Sequence, residues 1–378
     1  MLDNRPWAGP QHPASHGVLT LILYLSNEYI TFIDICIGYL HRGTEKLLEF
    51  KSLEQCVPYF DRLDYVSVVY NEHMFTLAFE SLLRCSLALR VSLLRLLFLE
   101  LTRVFNGLLA ISCMVFDLGA ISPLLWSFEE RDKICTFFDY VCGCRMHVAF
   151  ICLCGCLDDL SFGLLDYVLF VCLSCMFLLE LFDLLLLNNR ISYLRLRGIS
   201  LLVLWDLCFN SVSGVLARSV GLLWDCRLFS CYELYLIFTF DFSFSLCGDA
   251  QDRFCLRLFD MRNSLLLCKQ VLYCFFSFGF VCLFELFVCD ASIELIIYLF
   301  YMVWCLCVVG LAFSCIEAPK GEYCVCLLLY LFLISRVRIR CADYLHCLLL
   351  DVLCRGFLLA DLVAIIGNID CVFGSVDR

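Results

Sequence analysis

Charged residues cut the apolar runs of this chain before they reach the roughly 18 residues that a bilayer-spanning helix needs. The cuts fall at Glu180, Asp183, Lys269, Glu285 and Arg336. They direct the chain toward a buried core, although 62% of its residues are apolar and its mean hydropathy is +0.89. One run escapes: residues 295–316 hold 22 uncharged positions between Glu294 and Glu317. The run contains β-branched and aromatic residues and ends in a polar, turn-like string, Glu317-Ala-Pro-Lys-Gly-Glu322. We therefore expect it to lie inside the domain, as a helix ending near its middle, then a loop and a strand.

Composition excludes several classes. Lys and Arg number 27 against 38 Asp and Glu, a net charge of -11, and such a field repels phosphate backbones, so nucleic acid is not a partner. The chain has 30 cysteines, yet residues 1–16 lack the apolar stretch of a signal peptide, which argues against an oxidised disulfide framework. The only Cys-x-x-Cys is Cys172/Cys175, and the Cys-x-Cys pairs (Cys142/Cys144, Cys305/Cys307, Cys324/Cys326) suit small core hydrophobes better than ligands. We expect no metal on this chain. Abundant Phe, Cys, Leu and Val with few Pro, Lys and Gln match T-rich codons, the signature of a T-skewed organellar gene or a uridine-rich transcript.

Three prolines, Pro6, Pro10 and Pro13, make the start an extended loop. Residues 18–24 and 29–35 read as a hairpin around Ser26-Asn27-Glu28. From Thr44 the pattern turns helical, with Pro58 expected to break one helix and Asp61 to cap the next; that helix would carry Arg62, Asp64 and Tyr65 in its first turn, Arg62 and Tyr65 on one face. Residues 85–205 show helical spacing, and the chain from Ile316 onward reads as strands and turns. Without repeats or linkers, the expected fold is one α+β domain. A central long-helix bundle (44–205) would join a loop and hairpin (1–43) to a mixed α+β part (206–378), with small β subdomains at both chain ends.

Against this apolar background stand polar strings: Gly9-Pro-Gln-His-Pro-Ala-Ser-His-Gly17, Gly38-Tyr-Leu-His-Arg-Gly-Thr-Glu-Lys46, Pro58-Tyr-Phe-Asp-Arg-Leu-Asp-Tyr-Val66, Arg145-Met-His147, Ile316-Glu-Ala-Pro-Lys-Gly-Glu322 and Val372-Phe-Gly-Ser-Val-Asp-Arg378. Together they resemble the family of mitochondrial NADH dehydrogenase subunit 7, the NuoD-type quinone-site subunits of respiratory complex I. The likeness runs from Gly9 to the last residue, with further matches at Asp117-Leu-Gly-Ala, Phe128-Glu-Glu-Arg and Trp224-Asp.

The resemblance implies a fold like the large subunit of nickel-iron hydrogenases without its metal, since no pair of Cys-x-x-Cys motifs flanks Arg42 and Cys371. It implies a place in the matrix-side peripheral arm of the mitochondrial inner-membrane complex. There an iron-sulphur cluster on a neighbouring subunit would reduce ubiquinone in a pocket that this chain walls, near the quinone-channel membrane subunit. His16 and Tyr65 match residues that meet the two quinone carbonyls, a role suited to groups that donate hydrogen bonds or protons. Taken alone, His12 and His16 are i, i+4 neighbours, but Pro13 and Gly17 argue against a helical zinc pair. Asp117 sits in an apolar run where an unpaired carboxylate is costly, so it needs a partner. The resemblance implies His16, while Arg103 or Arg131 would serve as an ordinary salt bridge. Arg42, Arg62 and His147 match residues near the partner's cluster; as lone residues they read as salt-bridge formers. The chain departs from the family at Thr20, Ile35, Cys36, Gly107, Ile151 and Cys152. The competing readings are a polytopic transporter or channel subunit, favoured by hydropathy, and an active hydrogenase subunit, disfavoured by the missing cysteine pairs.

Overall fold

The computed structural model describes residues 7–8, 18–85, 87–230, 232–277, 309–330 and 333–378. Near the amino terminus, β1 (Trp7–Ala8), β2 (Thr20–Ser26) and β3 (Tyr29–Cys36) pair antiparallel in that order. Asn27 closes the β2–β3 turn at a φ of 57°, a left-handed position that asparagine tolerates. The expected hairpin is present, its first strand shifted by two residues toward the carboxyl end and its second one residue longer. His12 and His16 lie outside the described residues.

Short helices α1 (Thr44–Leu48) and α2 (Leu53–Phe60) lead into α3 (Val68–Leu83). Ser52 and Gln55 form a capping box at the start of α2. Pro58 does not break this helix but lies inside it, losing one backbone bond in the last turn. Asp61 therefore ends α2 instead of opening the next helix, and Arg62 to Ser67 form a turn before α3. Arg62 and Tyr65 do not share a helical face.

The bundle consists of α3, α4 (Leu89–Asp117), α5 (Ser122–Cys142) and α6 (Phe162–Phe182), joined by α11 (Ala250–Ser277) from the later half. That 28-residue helix extends the bundle beyond residue 205, because Arg253, Arg257, Asp260 and Asn263 lie on its buried face and blur the apolar period that would reveal it. Between α6 and α11 come α7 (Arg190–Leu196), α8 (Leu204–Phe209), α9 (Val215–Ser219) and α10 (Cys226–Phe229). A two-strand ribbon, β4 (Ile151–Cys152) and β5 (Gly155–Cys156), precedes α6.

Two described helices are long and apolar enough to cross a bilayer, Leu89–Asp117 and Gly163–Leu187. The first is the buried axis of the bundle. Its Arg95 is wholly enclosed, donating to Glu80 at 2.6 Å, to Glu233 at 3.2 Å and to the carbonyls of Cys152 and Gly155. A guanidinium whose two terminal nitrogens meet two carboxylates and two carbonyls is tolerated inside protein.

A three-stranded antiparallel sheet follows, β6 (Gly310–Ala318), β7 (Gly321–Tyr330) and β8 (Leu333–Arg340). The end of the long uncharged run is thus a strand; residues 295–308 lie outside the described residues. After β8 the chain is helical instead of strands and turns: α12 (Ala342–Leu348), α13 (Leu350–Cys354), α14 (Leu359–Ile369) and α15 (Phe373–Asp377). Each is too short for its apolar period to stand out. These helices and the amino-terminal hairpin share one apolar core built from Leu21, Ile33, Leu350, Leu353 and Ile365 among others. Ile30 N donates to Phe357 O at 2.9 Å and Ile33 N to Asp351 Oδ1 at 2.9 Å, so the two chain ends are joined. The whole is an α+β fold.

Candidate functional site

The terminal string Val372 to Arg378 holds two of the other polar strings in place. Asp377 accepts from Gly38 N at 2.9 Å and Leu40 N at 2.8 Å, and its carbonyl meets His41 Nδ1 at 2.6 Å. Arg42 N donates to Arg378 O at 3.2 Å. On its other side α15 presses on the turn after α2: a Cβ on Gly374 would lie 2.5 Å from Leu63 O. Strings more than 300 residues apart in sequence are therefore one structural unit.

Tyr65 stands on that turn, half-buried, and no hydrogen bond engages its hydroxyl among the described residues. Burial raises the phenol's pKa; Lys320 opposes the rise, while Asp64, Asp370 and Asp343 add to it. Lys320, Asp64 and Asp343 belong to a buried polar network around the turn, while Asp370 accepts from Asn106 at 3.4 Å. Lys320 Nζ donates to Asp64 Oδ1 at 3.1 Å, Tyr323 Oη donates to Asp64 Oδ2 at 3.4 Å, and the hydroxyls of Tyr323 and Ser375 donate to Asp343 Oδ2. Burial lifts the Asp343 carboxyl to about 7 against the pull of Lys320. The Glu317-Ala-Pro-Lys-Gly-Glu322 string is the β6–β7 hairpin turn, and it delivers Lys320 here.

Asp117 ends α4. Its Oδ2 is buried without a hydrogen-bond partner among the described residues, and burial alone raises the carboxyl to about 7. Neither ordinary candidate pairs with it: Arg103 donates to Glu317 O and lies 3.6 Å from Glu100, and Arg131 packs its guanidinium over the Phe105 ring. Gly367 of α14 brings backbone so near that a Cβ there would be 2.6 Å from Asp117 Oδ2. The charges of Asp370 and Asp117 both act on Cys113, and Asp370 also acts on Tyr65, so these acids share one neighbourhood.

Arg42, Arg62 and His147 come together. Burial lowers the His147 pKa, and the nearby charges of Arg62 and Arg42 lower it further. Its Nδ1 is buried without a partner among the described residues. Next to them, burial lifts the Asp61 carboxyl to about 7, and Glu72 rises with it for the same reason and through repulsion by Asp61. Glu72 Oε2 accepts from Ile151 N at 2.9 Å.

From residue 117 to 378 the sequence matches the family described as respiratory-chain NADH dehydrogenase, 49 Kd subunit. The chain belongs to that family. The NADH-ubiquinone oxidoreductase 49 kDa subunit homolog of Trypanosoma brucei brucei is 63% identical over 371 residues, covering 98% of this chain and 96% of the relative. The NADH dehydrogenase (ubiquinone) iron-sulfur protein 2 of Arabidopsis thaliana is 39% identical over 386 residues, 98% and 96% of the two chains. The NADH-ubiquinone oxidoreductase 49 kDa subunit of Prototheca wickerhamii is 39% identical over 388 residues, covering 98% and 95%. As a 49 Kd subunit this chain is part of an oxidoreductase complex, respiratory complex I, and other subunits of that complex are its partners.

Sequence reasoning did not single out Asp64, Lys320, Asp343 and Asp370 in this 49 Kd subunit. Asp64 and Lys320 were visible inside the polar strings. Asp343 lies in a short helix with no motif around it, and only the fold brings it to Ser375.

Proposed function

We propose that this chain walls the ubiquinone-reduction pocket of complex I, where electrons arrive from an iron-sulphur cluster of a neighbouring subunit. The convergence of three separated strings on the turn that bears Tyr65 carries this reading: among the described residues, a phenol hydroxyl without a hydrogen bond there, and the unpartnered buried carboxyl oxygen of Asp117, suit a ligand with opposed carbonyls and a second donor. When bound, ubiquinone supplies the electron-accepting ring. Tyr65 Oη donates to one carbonyl, which becomes a stronger acceptor as charge builds on it, and its raised pKa keeps the proton on oxygen until then. His16 donates to the other carbonyl, and Asp117 orients and charges its imidazole. Arg42 and Arg62 face the partner's cluster, where cations favour its reduced state. His147, whose pKa burial and these arginines lower, would be the group there able to accept a proton were that cluster to gain negative charge.

The same reading makes the fold akin to the large subunit of nickel-iron hydrogenases. Cys371, buried with its thiol donating to Asp343 O at 3.6 Å, takes no ligand role in it. It also sets the chain in the matrix-side peripheral arm at the mitochondrial inner membrane, between the subunit holding the terminal cluster and the quinone-channel membrane subunit.

Tyr65→Phe or His16→Ala in the assembled complex tests the site. Losing one hydrogen bond to a charged group costs about 1.5 to 3 kcal/mol, so quinone reduction should fall roughly ten- to hundred-fold while NADH still reduces the clusters. Wild-type, inhibitor-sensitive quinone reduction by Tyr65→Phe with assembly intact would remove Tyr65 from the mechanism.

A further inference from the structure

Against the expectation of no metal on this chain, three cysteines meet a carboxylate at the edge of the β6–β7 hairpin. Cys315 and Cys324 face each other across the two strands, their Sγ atoms 3.0 Å apart. Cys226, the first residue of α10, brings its Sγ to 3.6 Å from Cys315 Sγ. Glu322 Oε1 lies 3.0 Å from Cys315 Sγ and 3.5 Å from Cys226 Sγ. The ligand atoms of Cys226, Cys315 and Glu322 all fall within 4.8 Å of one another. A tetrahedral zinc site, with Zn–S near 2.3 Å and Zn–O near 2.1 Å, separates sulphurs by roughly 3.8 Å and sulphur from oxygen by roughly 3.6 Å. Two of the three observed separations match, and the third opens by about half an ångström.

The carboxylate is also held in the manner of a ligand. Its second oxygen, Oε2, accepts from Arg340 Nη1 at 2.7 Å, and the Glu322 backbone N donates to Ser213 Oγ at 3.0 Å. Oε1 is thereby aimed at the two thiols, as outer partners aim ligating carboxylates in metal sites.

We propose that Cys226, Cys315 and Glu322 bind a thiophilic divalent cation of the zinc class, with Cys324 outside the ligand set, where Arg340 Nη1 lies 3.9 Å from its Sγ. Binding converts two thiols to thiolates and releases two protons to solvent. Two thiolates and one carboxylate then balance the dication and the Arg340 guanidinium. Soft sulphur ligands select against Mg²⁺ and Ca²⁺. The cation would staple α10 to the hairpin whose turn delivers Lys320 to Asp64. Its ligands are 89 and 7 residues apart, a spacing no sequence motif captures.

The test uses the purified complex, stripped with a chelator and then given Zn²⁺ or Mg²⁺ alone, with alkylation of each cysteine followed by mass spectrometry. Zn²⁺ at ten times its dissociation constant should slow labelling of Cys226 and Cys315 roughly tenfold, Mg²⁺ should not, and exposed Cys208 should be unaffected. In complex carrying Cys226→Ser, which keeps the residue small, the Zn²⁺ protection of Cys315 should largely vanish. Labelling rates that Zn²⁺ leaves unchanged overturn the site, including the case in which neither cysteine reacts in either state. So does recovery of a Cys315–Cys324 disulfide from untreated complex.

Discussion

A buried carboxyl oxygen without a partner is costly, and Oδ2 of half-buried Asp117 has none among the described residues. Its carboxyl rises from the usual 3.8 to about 7 by burial alone. Between those values the folded form keeps a proton that the unfolded chain has lost. The stability this contributes is complete below about pH 4 and disappears as pH rises through about 7. The proposed His16 imidazolium would offset that loss. In a His16→Ala background the melting temperature of the assembled complex should therefore fall between about pH 4 and about pH 7 and level off above, and adding Asp117→Asn should remove most of the fall. A pH dependence untouched by Asp117→Asn would mean that another cation already holds this carboxylate. Asp117 was legible in the sequence because its run is apolar; that neither Arg103 nor Arg131 reaches it was not, since both lie near it along the chain and only packing turned them elsewhere.

At the scale of elements, two glycines mark contacts of different hardness. A Cβ on Gly107 of α4 would come within 2.6 Å of Met261 Cγ and Sδ on α11, the end of a flexible side chain that can move aside. The departure from the family at this position therefore lets α11 pack closely on α4. A Cβ on Gly374 meets the Leu63 carbonyl at 2.5 Å, and that backbone belongs to the turn bearing Tyr65. Overpacking costs about 1 to 3 kcal/mol, and we expect Gly374→Ala near the upper end and Gly107→Ala near the lower. Thermal melting of the two variant complexes ranks them; equal losses would show that the α15 contact is as pliable as the methionine. Gly374→Ala should also lower quinone reduction, by moving Tyr65.

For the molecule as a whole, the chain ends act as one part. Asp377 satisfies two backbone donors of the 38–42 segment, and a hydrogen bond to a charged group contributes about 1.5 to 3 kcal/mol, less where, as at Gly38, the donor can reach water. Asp377→Ala should release that segment, with Arg42 on it, and make it sensitive to limited proteolysis while the α3–α6 bundle stays resistant. On a native gel the variant should enter the complex in reduced yield. A segment no more readily cut than in the wild type would show that the Arg42–Arg378 backbone bond suffices to hold it. Elsewhere the described surface exposes Trp205, Phe209, Ile191 and Leu204, apolar area in keeping with a subunit that is covered by partners.

The sequence by itself determined the α+β class, the amino-terminal hairpin, the long helices up to α6 and, through its polar strings, the family. Those features rest on local periodicity, turn chemistry and residue identity, which are written along the chain. The tertiary structure alone decided that α11 joins the bundle and that the two chain ends share a core. It also decided that Lys320, Asp64 and Asp343 surround Tyr65, and that Cys226 meets Cys315 across 89 residues. Such pairings depend on how burial of apolar faces closes long loops, and no spacing in the sequence records which distant side chains that closure brings within hydrogen-bond reach.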